Sequence, residues 1–225
     1  MDIQKNVKSF LKDVEGVCAE AKRNPETLTV IGASKSQELA LIESAYQAGI
    51  EHFGENFLQE AENKISSVTP PPCWHFIGSI QSRKAKKISS LFNWVHTVDR
   101  IKVAKLLNDH RNKSLGKLNV CVQVNSENEA TKSGISLEES EEFISDLSQL
   151  NMLNVRGLMA LPKASRDHLQ QRKSFAKIRT KLEELKKNFP YLDTLSMGMS
   201  EDYRAAIMEG ATIIRIGTGI FGERK

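Results

Sequence analysis

The sequence predicts an α/β fold: a single (β/α)8 barrel of the TIM type, with one extra helix ahead of it. Three observations carry this expectation. Eight short apolar runs recur along 225 residues. Amphipathic stretches separate neighbouring runs, and polar or glycine residues gather after the runs rather than before them. Strands and helices alternating in that number close a parallel sheet on itself, and such barrels keep their chemistry at the C-terminal strand ends.

The elements follow in order. Ile3, Val7, Phe10, Leu11, Val14 and Val17 repeat in threes and fours, which predicts a helix over 3–22 that Asn24-Pro25 ends. Strands are expected at Thr29–Ala33, Glu51–Phe53, Trp74–Ile77, Trp94–Val98, Leu118–Val124, Val155–Leu158, Thr194–Ser196 and Ile213–Ile216. Helical stretches such as Glu38–Ala48, Arg100–Leu107, Leu137–Leu150 and Ser174–Lys187 lie between them. One false strand would change the topology, so a doubly wound open sheet is the competing arrangement. No linker, low-complexity tract or repeat divides residues 1–225, and one domain is expected.

Composition narrows the class. Hydrophobic residues at 40% and charged residues at 27% suit a soluble globular chain with a substantial core. The net charge of +4 is modest and its basic residues are interspersed with acids. The richest basic stretch, Arg83-Lys84-Ala85-Lys86-Lys87, falls on a predicted helix and reads as a solvated face, so no nucleic-acid partner is expected. Cys18, Cys73 and Cys121 show no paired metal spacing and cannot all pair with one another, so neither a metal site nor a disulfide framework is expected. The N-terminus lacks an apolar signal core, and no segment approaches the roughly 20 apolar residues of a membrane span. A reduced cytoplasmic setting is the expectation.

The chemistry concentrates at the strand ends. Ser196-Met197-Gly198-Met199-Ser200 and Gly217-Thr218-Gly219 are turns rich in glycine and hydroxyl residues, each leading into a segment able to start a helix. Such turns offer backbone N–H groups and the positive end of a helix dipole, which suit a phosphate. Their place after the last two strands is where a (β/α)8 barrel puts its phosphate site. Lys35, after the first strand, opens onto the same rim. A lysine beside a buried cavity loses solvation, and its neutral amine can attack an aldehyde. Cradle and lysine together suggest a phosphorylated aldehyde held as a Schiff base. For Ser200 alone a plain helix N-cap is the competing role.

Longer motifs occur in sequence order: Ala33-Ser34-Lys35, Phe53-Gly54-Glu55-Asn56 with Gln59-Glu60, and Trp74-His75-Phe76-Ile77-Gly78 with Gln81. Gln123-Val124-Asn125, Lys132-Ser133-Gly134, Gly157-Leu158-Met159, Ser196–Ser200 with Asp202, and Arg215–Gly222 follow. From about Leu28 to Arg224 the chain resembles the pyridoxal-phosphate homeostasis protein family, whose fold is like the barrel domain of alanine racemase. Departures are mild: Ala33, Ile80, Arg83 and Leu161 stand where valine, leucine, asparagine and isoleucine are usual.

The resemblance implies that Lys35 carries pyridoxal 5′-phosphate covalently, with Ser196, Ser200, Gly217 and Thr218 around its phosphate. It further implies that Arg215 faces the pyridine nitrogen; an arginine keeps its proton, so that nitrogen stays unprotonated and the ring is a poor electron sink. His75 alternates with Trp74 and Phe76 and so faces the barrel interior, either along the cofactor ring or as a hydrogen-bonded core histidine. Asn56 and Met159 are weaker candidates for the ring's edge and wall, while Trp74 and Trp94 are assigned to the core. Racemisation needs bases on both faces of a carbanion. Lys35 serves one face, but Tyr46, Tyr191 and Tyr203 are poorly placed for the other, and the chain stops soon after the eighth strand. The expected role is therefore cofactor buffering or delivery by a monomer, with apo forms of pyridoxal-phosphate enzymes as partners and no dedicated catalysis. A small amino-acid racemase and a Schiff-base aldolase acting on a sugar phosphate are the alternatives.

Overall fold

A computed structural model describes residues 2–127, 129 and 132–223; Arg224, the last residue of the resemblance, lies outside them. Eight parallel strands close a barrel in sequence order: β1 (Thr29–Ala33), β2 (His52–Glu55), β3 (Cys73–Phe76), β4 (Trp94–Val98), β5 (Leu118–Val124), β6 (Leu153–Ala160), β7 (Thr194–Ser196) and β8 (Ile213–Ile216). The ring shuts where β1 pairs β8, from Thr29 opposite Ile213 to Gly32 opposite Ile216. The open doubly wound sheet is thereby excluded.

Helix α1 (Ile3–Glu20) precedes the barrel; the Asp2 side chain caps it by accepting from Lys5 N–H. Its buried stripe of Val7, Phe10 and Val14 packs over the last helices of the ring. The crossovers are α2 (Leu39–Gln47), α3 (Leu58–Ser67), α4 (Ala85–Leu91), α5 (Ile101–Asp109), α6 (Ser140–Ser148), α7 (His168–Leu185) and α8 (Tyr203–Met208), and α9 (Thr218–Phe221) follows β8. Their apolar faces, with Ile42, Ile88, Leu107, Ile144 and Ile178 fully buried, form the main core against the outside of the barrel. The basic stretch lies on α4 and the 3-10 turn before it, with Lys87 paired to Glu62 and Lys84 bonded to Gln59.

Three strands, β2, β3 and β6, differ from the sequence expectation. β2 runs on through Glu55 because that carboxylate is buried and neutralised by Lys64, so the polar residue does not end the strand. β6 begins at Leu153 and extends to Ala160, since it pairs β5 at both ends, with one register shift at Arg156, and holds Met159 inside the ladder rather than after it. β3 runs from Cys73 to Phe76, one residue ahead of the expected Trp74–Ile77 at both ends. α7 begins at His168, where the Asp167 carboxylate accepts from Leu169 and Gln170 N–H. No helix among the described residues is long and apolar enough to cross a membrane.

Candidate functional site

The C-terminal end of β1 is anchored on both sides of Lys35. Ser34 is fully buried; its hydroxyl donates to Glu55 Oε1 at 2.6 Å, and Lys64 Nζ donates to the Ser34 carbonyl at 2.8 Å. The same Nζ lies 2.8 Å from Glu55 Oε1. Beyond Lys35, Ser36 takes a left-handed backbone (φ 60°), and its N–H donates to Glu60 Oε2 at 2.8 Å. The half-buried Lys35 side chain is thus presented by a segment whose neighbours are fixed by their own bonds.

The last two strands build the opposite wall. After β7, Gly198 has φ +98°, and a Cβ there would meet Ala206 Cβ at 2.6 Å, so only glycine fits this turn. Its carbonyl accepts from Arg215 N–H at 2.9 Å, tying the turn to β8. Asp202 Oδ1 accepts from Met199 N–H at 2.6 Å and closes the turn; burial raises that carboxyl above its ordinary value. Helix α8 starts at Tyr203 with Asp202 at its N-cap, so Ser200 is not the cap residue. Ser200 Oγ instead accepts from Gly219 N–H at 3.3 Å and joins the two glycine turns. At Gly217 the nearest atom to an added Cβ is the Ala33 carbonyl oxygen at 3.8 Å, so the cradle floor is open there.

Ala33, Lys35, Ser200, Arg215, Gly217 and Thr218 line one cavity of about 310 Å³ at the C-terminal mouth. That volume suits a small ligand. Arg215 is 5% exposed; its Nη1 donates to Ser196 Oγ at 2.6 Å and its Nη2 to the Ala160 carbonyl at 3.1 Å. Burial lowers it to about 10, against the opposing pull of Asp202 and Cys121, so it stays cationic at neutral pH.

The other sequence candidates lie elsewhere. Ser196 is fully buried beneath Arg215 and reaches the cavity only through that guanidinium. Met159, paired with Ser196 in the sheet, is buried in the wall below. Asn56 lines a separate cavity of about 240 Å³ with Gln123, Asn125 and Ser133, and its Oδ1 is buried without a hydrogen-bond partner. His75 is the hydrogen-bonded core histidine of the two readings: its Nδ1 lies 2.8 Å from His96 Nε2 and its Nε2 lies 2.9 Å from His52 Nδ1. The chain continues from His96 Nδ1 to Ser196 Oγ at 2.8 Å, so a polar thread fills the barrel axis up to Arg215. Sequence reasoning missed Lys64, although its spacing of four from Glu60 on α3 was a readable sign of an ion pair.

The alanine racemase N-terminal domain model matches residues 6–225. The pyridoxal phosphate homeostasis protein of Pseudomonas aeruginosa is 43% identical over 223 residues, covering 99% of this chain and 96% of that protein. This chain belongs to that family. Its Escherichia coli counterpart is 39% identical over 228 residues, with 99% and 97% covered. PipY of Synechococcus elongatus, solved with PLP bound, superposes with a TM-score of 0.82 at 35% identity, covering 93% of this chain and 99% of PipY.

Proposed function

We propose that this chain binds pyridoxal 5′-phosphate through Lys35 and serves the cell by holding and releasing it, without dedicated turnover. The observation that carries this reading is the single cavity joining a lysine at the end of β1 to the paired glycine turns after β7 and β8. The residues fit the group. The open space at Gly217, the Ser200 hydroxyl and the Gly217 and Thr218 backbone suit a dianionic phosphate, and Lys35 lines the same cavity. The buried Arg215 cation would keep a ring nitrogen that it meets unprotonated. Pyridoxal phosphate supplies a reactive aldehyde and, with a protonated ring, an electron sink. Arg215 favours the first property over the second.

The tyrosines support holding over turnover. Tyr203 turns outward and bonds Asp13 on α1. Tyr191 bonds Ser148, and Tyr46 packs edge-on against Phe53. Incubated with each common amino acid in deuterated water, the loaded chain should show negligible exchange at Cα. Stereospecific exchange at enzyme-like rates would establish a catalyst instead.

We infer that the chain does so in the cytoplasm, as a monomer from which apo-enzymes receive the cofactor. Ser200→Ala should weaken cofactor retention by about 1.5–3 kcal/mol, the worth of one charge-assisted hydrogen bond. Gly217→Val should weaken it further, because its side chain enters the open floor without straining the backbone. Equal affinity of both variants and the parent in a dialysis titration would count against the two-turn cradle.

A further inference from the structure

The N-terminal mouth of the barrel, opposite the cavity, carries a cluster that the proposed function does not use. Cys73 and His75 are two apart on β3 and so share the face turned to the barrel interior. His52 on β2 stands opposite Cys73 in the register and adds a second imidazole. His52 Nδ1 lies 2.9 Å from His75 Nε2, and Cys73 Sγ lies 3.4 Å from the same nitrogen. The three donor atoms all fall within 4.8 Å of one another.

A tetrahedral zinc ion holds nitrogen at about 2.0–2.1 Å and sulfur at about 2.3 Å, which puts ligand nitrogens about 3.3 Å apart and nitrogen and sulfur about 3.6 Å apart. Shifts of a few tenths of an ångström would bring His75 and its two neighbours to those separations. We propose that His52, Cys73 and His75 form a binding site for a zinc-class divalent cation at the N-terminal mouth of the barrel.

Two features beyond the donor set favour this reading. Ligation through His75 Nε2 leaves Nδ1–H facing His96 Nε2, and His96 in turn faces Ser196 Oγ. A metal-bound imidazole is normally oriented by such a partner on its other nitrogen. His52 and Cys73 are only half buried, so the ion has an entry path and water can take the fourth position. Imidazole and thiolate donors select zinc over the hard cations magnesium and calcium.

The test uses the full chain as purified, freed of metal by a chelator and then given zinc alone. One zinc per chain should bind and slow alkylation of Cys73 by iodoacetamide roughly tenfold or more, because a coordinated sulfur is no longer a free nucleophile. The buried Cys18 and Cys121 serve as internal controls in the peptide map. Cys73→Ser and His52→Asn should each lose the zinc, and His96→Asn should weaken it by roughly 10–100-fold. Cobalt in place of zinc should give a thiolate charge-transfer band that Cys73→Ser lacks. Equal alkylation of Cys73 with and without zinc in the unmodified chain would overturn the proposal, whatever the variants do. So would full zinc retention in both ligand variants.

Discussion

Lys35→Ala should abolish covalent retention of pyridoxal phosphate and leave the barrel folded. The expectation rests on how the segment is held. Ser34 is fixed through its hydroxyl and carbonyl, and Ser36 through its N–H, so removing the Lys35 side chain leaves those bonds in place. A half-buried side chain at a rim should cost about 1 kcal/mol or less of stability. Dialysis followed by visible absorbance reads the cofactor, and thermal unfolding reads the fold. A variant that keeps the cofactor covalently would refute the assignment. One that loses the fold would make Lys35 a structural residue.

The largest stability effect is expected one shell below. Lys64→Met should destabilise the chain by about 3–5 kcal/mol, the range for removing one partner of a buried ion pair. The side chain of Lys64 is 10% exposed and that of Glu55 is 0% exposed. Glu55 Oε2 already lacks a hydrogen-bond partner, so without Lys64 its carboxylate would keep only the Ser34 hydroxyl. Burial is the main influence on Glu55 and raises it above the ordinary carboxylate value, as a strained acid should behave. The double variant Glu55→Gln/Lys64→Met should recover part of the loss, because the uncompensated charge is gone. Urea unfolding with an unchanged slope would measure both. A loss below about 1 kcal/mol in Lys64→Met would show that the pair is solvated rather than buried. Since Lys64 also holds the Ser34 carbonyl, the variant should release cofactor more readily too.

Where local chemistry decides the structure, the sequence was sufficient. β1, β4, β5, β7 and β8 begin and end at the residues where the apolar runs do, because polar or glycine turns bound them. β2 was cut short because Glu55 reads as a surface residue until Lys64, nine positions later, is known to cover it. Lys35, Ser200, Gly217 and Thr218 were legible as rim residues, since each directly follows a strand or its turn. His75 shows the limit. Period-two alternation turns it inward, yet its height along the axis depends on strand stagger and on His52 and His96, which sit on neighbouring strands. His96 meets Ser196 across the lumen, 100 residues away, and no local pattern announces that pairing. The same long-range closure hid the juxtaposition of His52 with Cys73, whose sequence spacing matches no metal-binding repeat.

The central claim is that one lysine of this chain holds the cofactor at the C-terminal mouth. Borohydride reduction of the loaded protein, followed by peptide mass mapping, tests it most directly. The account predicts a single pyridoxyl-phosphate adduct, on the peptide that contains Lys35. An adduct on another lysine with Lys35 unmodified, or no adduct at all, would contradict it.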